Sequence, residues 1–156
     1  KNLNETYDLI FIGFNSFLHL LKDEDAMACL DSVKKHMHST TLFVIDVFVP
    51  KTLFLYRPEI RFPVMDYKDS ITGELTTVEE ISIYDSDSEI NKITWHYNTP
   101  TPKNDKVYSF NMRMYFPDTM NRILIDSGFS IKNLFGSHEL VDFNEDSELQ
   151  IYVCTL

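Results

Sequence analysis

Two apolar, β-rich runs separated by an amphipathic stretch constrain this chain more than any other feature. The first, YDLIFIGF, runs from Tyr7 to Phe14. Because it lacks polar alternation, it is expected to be a strand buried on both faces, as in parallel sheets. The second, TTLFVIDVFVP, is equally apolar and stops at Pro50, which cannot donate to a ladder. In the intervening KDEDAMACLDSVKKHMHS, Asp23 is a candidate helix cap. Glu24 and Asp25 suit the positive end of the helix dipole, and Lys34 and Lys35 suit the negative end. Ala26, Leu30, Val33 and Met37 recur at helical spacing and form one apolar stripe. The order strand, helix, strand predicts a βαβ unit with a right-handed crossover.

The rest of the chain changes character. Residues 51–80 carry Pro58, Pro63 and Gly73 among scattered aromatics and read as a loop-rich segment with a short helix. From Glu80 onward EISIYDSD, KITWHYN and KVYSFNMRMYF alternate in polarity between turn-forming stretches, which predicts an antiparallel meander of three strands. FPDTMNRILIDSGF reads as a helix with Pro117 in its first turn, Met120, Ile123 and Leu124 inward, and Gly128 as its left-handed stop. SIKNLFG and ELQIYVCTL read as two closing strands joined by the acidic SHELVDFNEDS.

Composition narrows the partners. With 156 residues, 44% of them hydrophobic, the chain has enough apolar surface for one globular unit. A net charge of −10 repels phosphate backbones and anionic lipid, so neither nucleic acid nor a membrane surface is expected as partner. Asp8, Asn15 and His19 interrupt the most apolar stretch well short of a membrane span. Cys29 and Cys154 are far apart, outside any Cys-x-x-Cys pair, and no signal peptide precedes them. Both features point to a reducing compartment, the cytoplasm.

The segment YDLIFIGFNSFLHLLKDEDAMACLDSVKKHMHSTTLFVIDVFVP resembles the fourth strand, following helix and fifth strand of class I S-adenosylmethionine-dependent methyltransferases, in the small-molecule, glycine N-methyltransferase-like branch. RMYFPDTMNRILIDSGFSIKNLFG and DFNEDSELQIYVC resemble that branch's last helix and terminal hairpin, and the meander resembles its inserted subdomain. The resemblance implies an α/β fold: a partial Rossmann-like methyltransferase sheet, βαβ plus terminal antiparallel hairpin, with a small antiparallel β subdomain. It divides the chain into a βαβ half at 1–50, an insert at 51–115, and the last helix and hairpin at 116–156, all as one structural unit. The implied cofactor is S-adenosylmethionine and the implied partner a small-molecule methyl acceptor. The family's glycine-rich cofactor loop has no counterpart, since Gly13, Gly73, Gly128 and Gly136 form no G-x-G cluster. The chain is therefore expected to be the substrate-side, C-terminal part of such an enzyme and inactive alone. An alternative is a non-enzymatic binding or assembly module derived from the same fold. A first strand open along one edge is expected to pair with the missing N-terminal half or with a second copy, giving a dimer through Tyr7 to Phe14.

The candidate site residues follow from the same resemblance. Phe14, Asn15 and Ser16 at the strand end would lie near the cofactor's sulfonium and adenosine; the alternative is that Asn15 and Ser16 cap the turn. His19 matches a family histidine and is either a catalytic base or a hydrogen-bonded structural residue. Asp46 lies where the carboxyl ends of parallel strands gather ligands, as a substrate contact or a turn cap. The family's Asp-x-x-Asn-Pro-like turn reads DVFVP here, with Val49 in place of a polar residue. Arg113 matches a substrate-facing basic position, and its guanidinium in an apolar strand requires an anionic substrate group or a structural carboxylate. Trp95, Tyr97 and Tyr108 are either pocket walls or the core of the meander. No metal site is expected: His36 and His38 fall on different sides of a helix end, and DSDSEI has Ile90 where a calcium loop needs glycine.

Overall fold

In the computed structural model, which describes residues 3–156, the two apolar runs are neighbouring parallel strands. β1 (Leu9–Ile12) and β2 (Leu42–Phe48) pair from Leu9 opposite Leu42 to Ile12 opposite Ile45. Helix α1 (Asp23–Lys34) makes the crossover, with Ala26, Leu30 and Val33 buried one turn apart. Its N-cap is Lys22, and Asp23 is the first helical residue. Asp23 does not cap the helix, because its carboxylate is drawn to Arg113 and Arg122 instead.

The chain divides into two compact units, Lys1–Pro50 with Arg113–Leu156, and Lys51–Met112. In the first, β8 (Leu149–Thr155) lies antiparallel to β2, and β7 (Ser130–Phe135) antiparallel to β8, giving the order β1-β2-β8-β7. Phe43, Ile45, Val47, Tyr152 and Cys154 are fully buried on one face. Helix α3 (Pro117–Asp126) covers this face: the Tyr152 hydroxyl donates to the Pro117 carbonyl at 3.3 Å. Helix α3 ends as its sequence predicts. Gly128 takes φ 85°, the Phe129 N–H donates to the Leu124 carbonyl at 3.0 Å, and the Gly128 N–H to that of Ile125 at 2.9 Å.

Gln150 is the one fully buried polar side chain of β8, and its amide bridges three segments of this unit. Nε2 donates to the carbonyls of Tyr115, at 2.7 Å, and Phe48, at 3.2 Å, and Oε1, 3.2 Å from the Tyr152 hydroxyl, shares that hydroxyl's single proton with the Pro117 carbonyl. Desolvation pushes the Tyr152 phenol well above its ordinary value. The Tyr115 ring packs 5.1 Å from Phe17, and its hydroxyl donates to the Leu20 carbonyl at 2.5 Å.

A strand from Tyr7 to Phe14 buried on both faces is not what forms. β1 covers Leu9–Ile12 only, with Leu9 56% and Phe11 71% exposed. The reason is its position: among the described residues it is the outermost strand of its sheet, with β2 on one side of it.

The second unit is a separate four-stranded antiparallel sheet, β3 (Phe62–Lys68), β4 (Leu75–Asp85), β5 (Ile90–Asn98) and β6 (Lys106–Arg113), in sequence order. The expected three-strand meander lacked β3 and the start of β4, which lie in the segment read as loop. Pro63 misled that reading. β3 is an edge strand, with a register shift between Pro63 and Met65, and such a strand tolerates proline. A short helix, α2 (Thr52–Leu55), precedes it, and Arg57 follows with its guanidinium 4.6 Å from the Phe54 ring and 4.9 Å from that of Phe62. Arg57 pairs with Glu80, which is 8% exposed, and its Nε donates to Ser82 Oγ at 2.9 Å. Trp95 Nε1 supplies a further bond to Glu80, at 2.7 Å. A buried carboxylate is tolerable because each oxygen has a donor.

Candidate functional site

At the end of β1 the backbone turns through two consecutive left-handed residues, Phe14 at φ 55° and Asn15 at φ 61°. Asparagine visits this region readily, and a bulky residue seldom does, at a cost of about 1–3 kcal/mol. Asn15 holds the turn in place. Its N–H donates to the Asp46 carbonyl at 3.1 Å, and its Oδ1 accepts from the Phe48 N–H at 2.8 Å. The carboxyl end of β1 is thereby tied to that of β2, and the Phe14 ring is held outward, 92% exposed. Ser16 Oγ donates to the Gly13 carbonyl at 2.8 Å, so both side-chain oxygens serve the turn.

Beside this turn lies an apolar hollow of about 460 Å³, walled by Leu9, Phe11, Phe14, Val44 and Ile151, with Asp46 and His138 as its polar groups. His138 Nε2 is 3.2 Å from Asp46 Oδ2. The loop after β7 brings His138 there. Gly136 is needed at its base, because a Cβ at that position would lie 2.1 Å from Ser147 Oγ. With Nε2 protonated, the imidazole donates to Asp46 and leaves Nδ1 as an acceptor.

Of the residues singled out in the sequence, Phe14 and Asp46 meet at this hollow, and Asn15 and Ser16 form the turn behind it. His19, exposed at the end of the 3₁₀ turn Ser16–His19, does not line it. Arg113 has a different setting. Its Nη1 is 2.5 Å from Asp23 Oδ1, and its guanidinium stacks 4.7 Å from the Tyr115 ring. Its hydrogen bond holds the Asp23 carboxyl below the ordinary carboxylate range, against some desolvation. His138 was missed by sequence reasoning. It sits in an acidic loop 92 residues from Asp46, with no spacing or motif to connect them. His36 and His38 are engaged elsewhere: the imidazole of His36 with the Ser32 carbonyl and the Leu3 N–H, and that of His38 with Asp8. Among the described residues no group of three or more His, Cys, Asp or Glu side chains could hold a metal ion, and no helix is long and apolar enough to cross a membrane.

No family model matches this sequence, and no curated protein matches it by sequence comparison. Solved structures do. An S-adenosylmethionine-dependent methyltransferase from Clostridium acetobutylicum superposes with a TM-score of 0.75 at 14% identity, over 100% of this chain and 61% of its own. The CcbJ methyltransferase from Streptomyces caelestis gives 0.79 at 14% identity, over 97% of this chain and 61% of its own. An amino pentose methyltransferase from Micromonospora echinaspora, solved with S-adenosylmethionine bound, gives 0.69 at 11% identity, over 98% and 59%. At these identities the likeness is one of fold. The chain is α/β with the Rossmann-like fold of S-adenosylmethionine-dependent methyltransferases, and it spans about three fifths of the length of the proteins it matches.

Proposed function

We propose that this chain is the C-terminal, substrate-side part of an S-adenosylmethionine-dependent methyltransferase acting on a small molecule. The observation that carries this reading is the match in fold over nearly the whole chain, combined with an outermost β1 whose Leu9, Phe11 and Phe14 are exposed. A strand apolar on both faces and open along one edge favours a further strand beside it. The part of the fold bearing the glycine-rich loop is the occupant we assign. The two free cysteines favour a reducing compartment such as the cytoplasm.

The residues present fit the cofactor along one side. The Phe14 ring offers an aromatic face to a cation such as a sulfonium, whereas the side-chain oxygens of Asn15 and Ser16 are engaged within the fold. The bound cofactor would supply an electrophilic methyl group. Once the further strand covers them, the apolar walls of the hollow would exclude water, and His138, oriented by Asp46, would hold or accept a proton at Nδ1 when the methyl acceptor must lose one.

Calorimetric titration with S-adenosylmethionine tests the reading. The chain alone is expected to give no tight binding, and a polypeptide carrying the first strands and glycine-rich loop of the fold to restore it. Tight binding by the chain alone overturns the need for the second part. No binding after supplementation favours the assembly module, a reading supported by the inward engagement of Asn15 and Ser16. Light scattering on the chain alone shows whether a second copy occupies the β1 edge.

A further inference from the structure

The antiparallel unit carries a second cleft, of about 460 Å³, at the end of its sheet formed by the β3–β4 and β5–β6 connections. Its walls are set by register. Tyr67 lies opposite Thr76, and Tyr97 opposite Val78, two residues further along β4, so both phenol rings stand on one face around a small, buried threonine. Burial, together with the neighbouring phenols of Tyr67 and Tyr108, pushes Tyr97 above its ordinary value. The Tyr97 ring is further braced edge-on by Tyr108 at 5.5 Å. Two tyrosines thus flank a polar floor in a cavity within the usual size range of small-molecule sites.

The charges of the lining are unequally engaged. Asp69 accepts from the N–H groups of Ile71 and Thr72 at 2.9 and 2.8 Å, and Lys106 adds to the effect of these bonds in lowering its pKa. Asp105 accepts from the Thr99 N–H at 2.8 Å. Glu74 also lines the cleft, and among the described residues no hydrogen bond or ion pair holds its carboxylate. Lys103 and Lys106 line the cleft as well, so its three carboxylates outnumber its two ammonium groups. Ring faces with an unengaged carboxylate beside them attract a cation through the ring quadrupole and direct charge together.

We propose that this cleft binds a small organic cation, an alkylated ammonium, between Tyr67 and Tyr97 with Glu74 as its counter-charge. The site needs no cofactor, so its failure leaves the methyltransferase proposal standing, and the converse also holds. Trp95 is the single tryptophan and its ring lies 6.2 Å from that of Tyr97, so its emission reports occupancy. Choline is the probe, and its uncharged isostere, with a tert-butyl group in place of the trimethylammonium, is the control. Choline is expected to titrate saturably and the isostere to bind at least about tenfold more weakly. Glu74→Gln and Tyr67→Leu, both at exposed or half-exposed positions, are each expected to weaken choline by about three- to fivefold. No saturable response to choline, equal binding of the isostere, or wild-type affinity in Glu74→Gln overturns the proposal; Glu74→Gln decides if Tyr67→Leu does not fold.

Discussion

Replacing Gln150 by leucine tests how the first unit holds its sheet against the segment entering α3. The side chain is fully buried and bonds the Tyr115 carbonyl at 2.7 Å, the Phe48 carbonyl at 3.2 Å and the Tyr152 hydroxyl at 3.2 Å. Leucine keeps most of the volume and removes all three bonds. Removing the donor to the buried Tyr115 carbonyl costs about 1–3 kcal/mol, and to the half-buried Phe48 carbonyl less. The Tyr152 hydroxyl keeps its bond to the Pro117 carbonyl and loses less. Offset by the gain from a more apolar side chain, the net destabilisation is about 2–4 kcal/mol. Urea denaturation should therefore show a midpoint lowered by about 1–2 M with an unchanged slope. Tyr152→Phe alone should cost about 1 kcal/mol. Because it removes a bond that Gln150→Leu also removes, the double variant should fall short of the sum by at least about 0.5 kcal/mol. A Gln150→Leu variant within about 0.5 kcal/mol of wild type would refute the bridging role.

Two further outcomes are expected. Arg113→Met should destabilise the first unit by about 1–3 kcal/mol, since the guanidinium is 11% exposed and its carboxylate partner 40%, between the buried and surface cases. The Asp23 carboxyl is lowered in the folded state, so its contribution is present above the ordinary value of 3.8 and fades as pH falls through the folded value. Denaturation midpoints between neutral and acid pH should converge for wild type and Arg113→Met. At the alkaline end, burial pushes the Cys154 thiol from 9.0 up to about 12, so between these values the folded chain holds a proton that the unfolded chain has lost. Stability should fall there by up to about 1.4 kcal/mol per pH unit for this group, and Cys154→Ala should flatten that limb in denaturation midpoints measured against pH.

Much of the fold was legible because its signals are local. The spacing of Ala26, Leu30 and Val33, the Pro117 start and the Gly128 stop each depend on a few neighbouring residues, and α1, β2, α3 and β8 follow from them. β3 was not legible, because whether Pro63 ends a strand depends on which side of the sheet its missing N–H faces. The same limit applied at the candidate site. Phe14 and Asp46 could be placed from strand ends, whereas His138 reaches Asp46 only after the terminal hairpin closes on β2.

The amino-acid order alone determined a βαβ start, a meander and a helix with a terminal hairpin, since periodicity and turn chemistry act over a few residues. Only the tertiary structure decided which faces are covered, because burial depends on neighbours distant in sequence. An apolar β1 therefore stands 71% exposed at Phe11, Arg113 meets Asp23, and the tyrosines of the second sheet open a cleft.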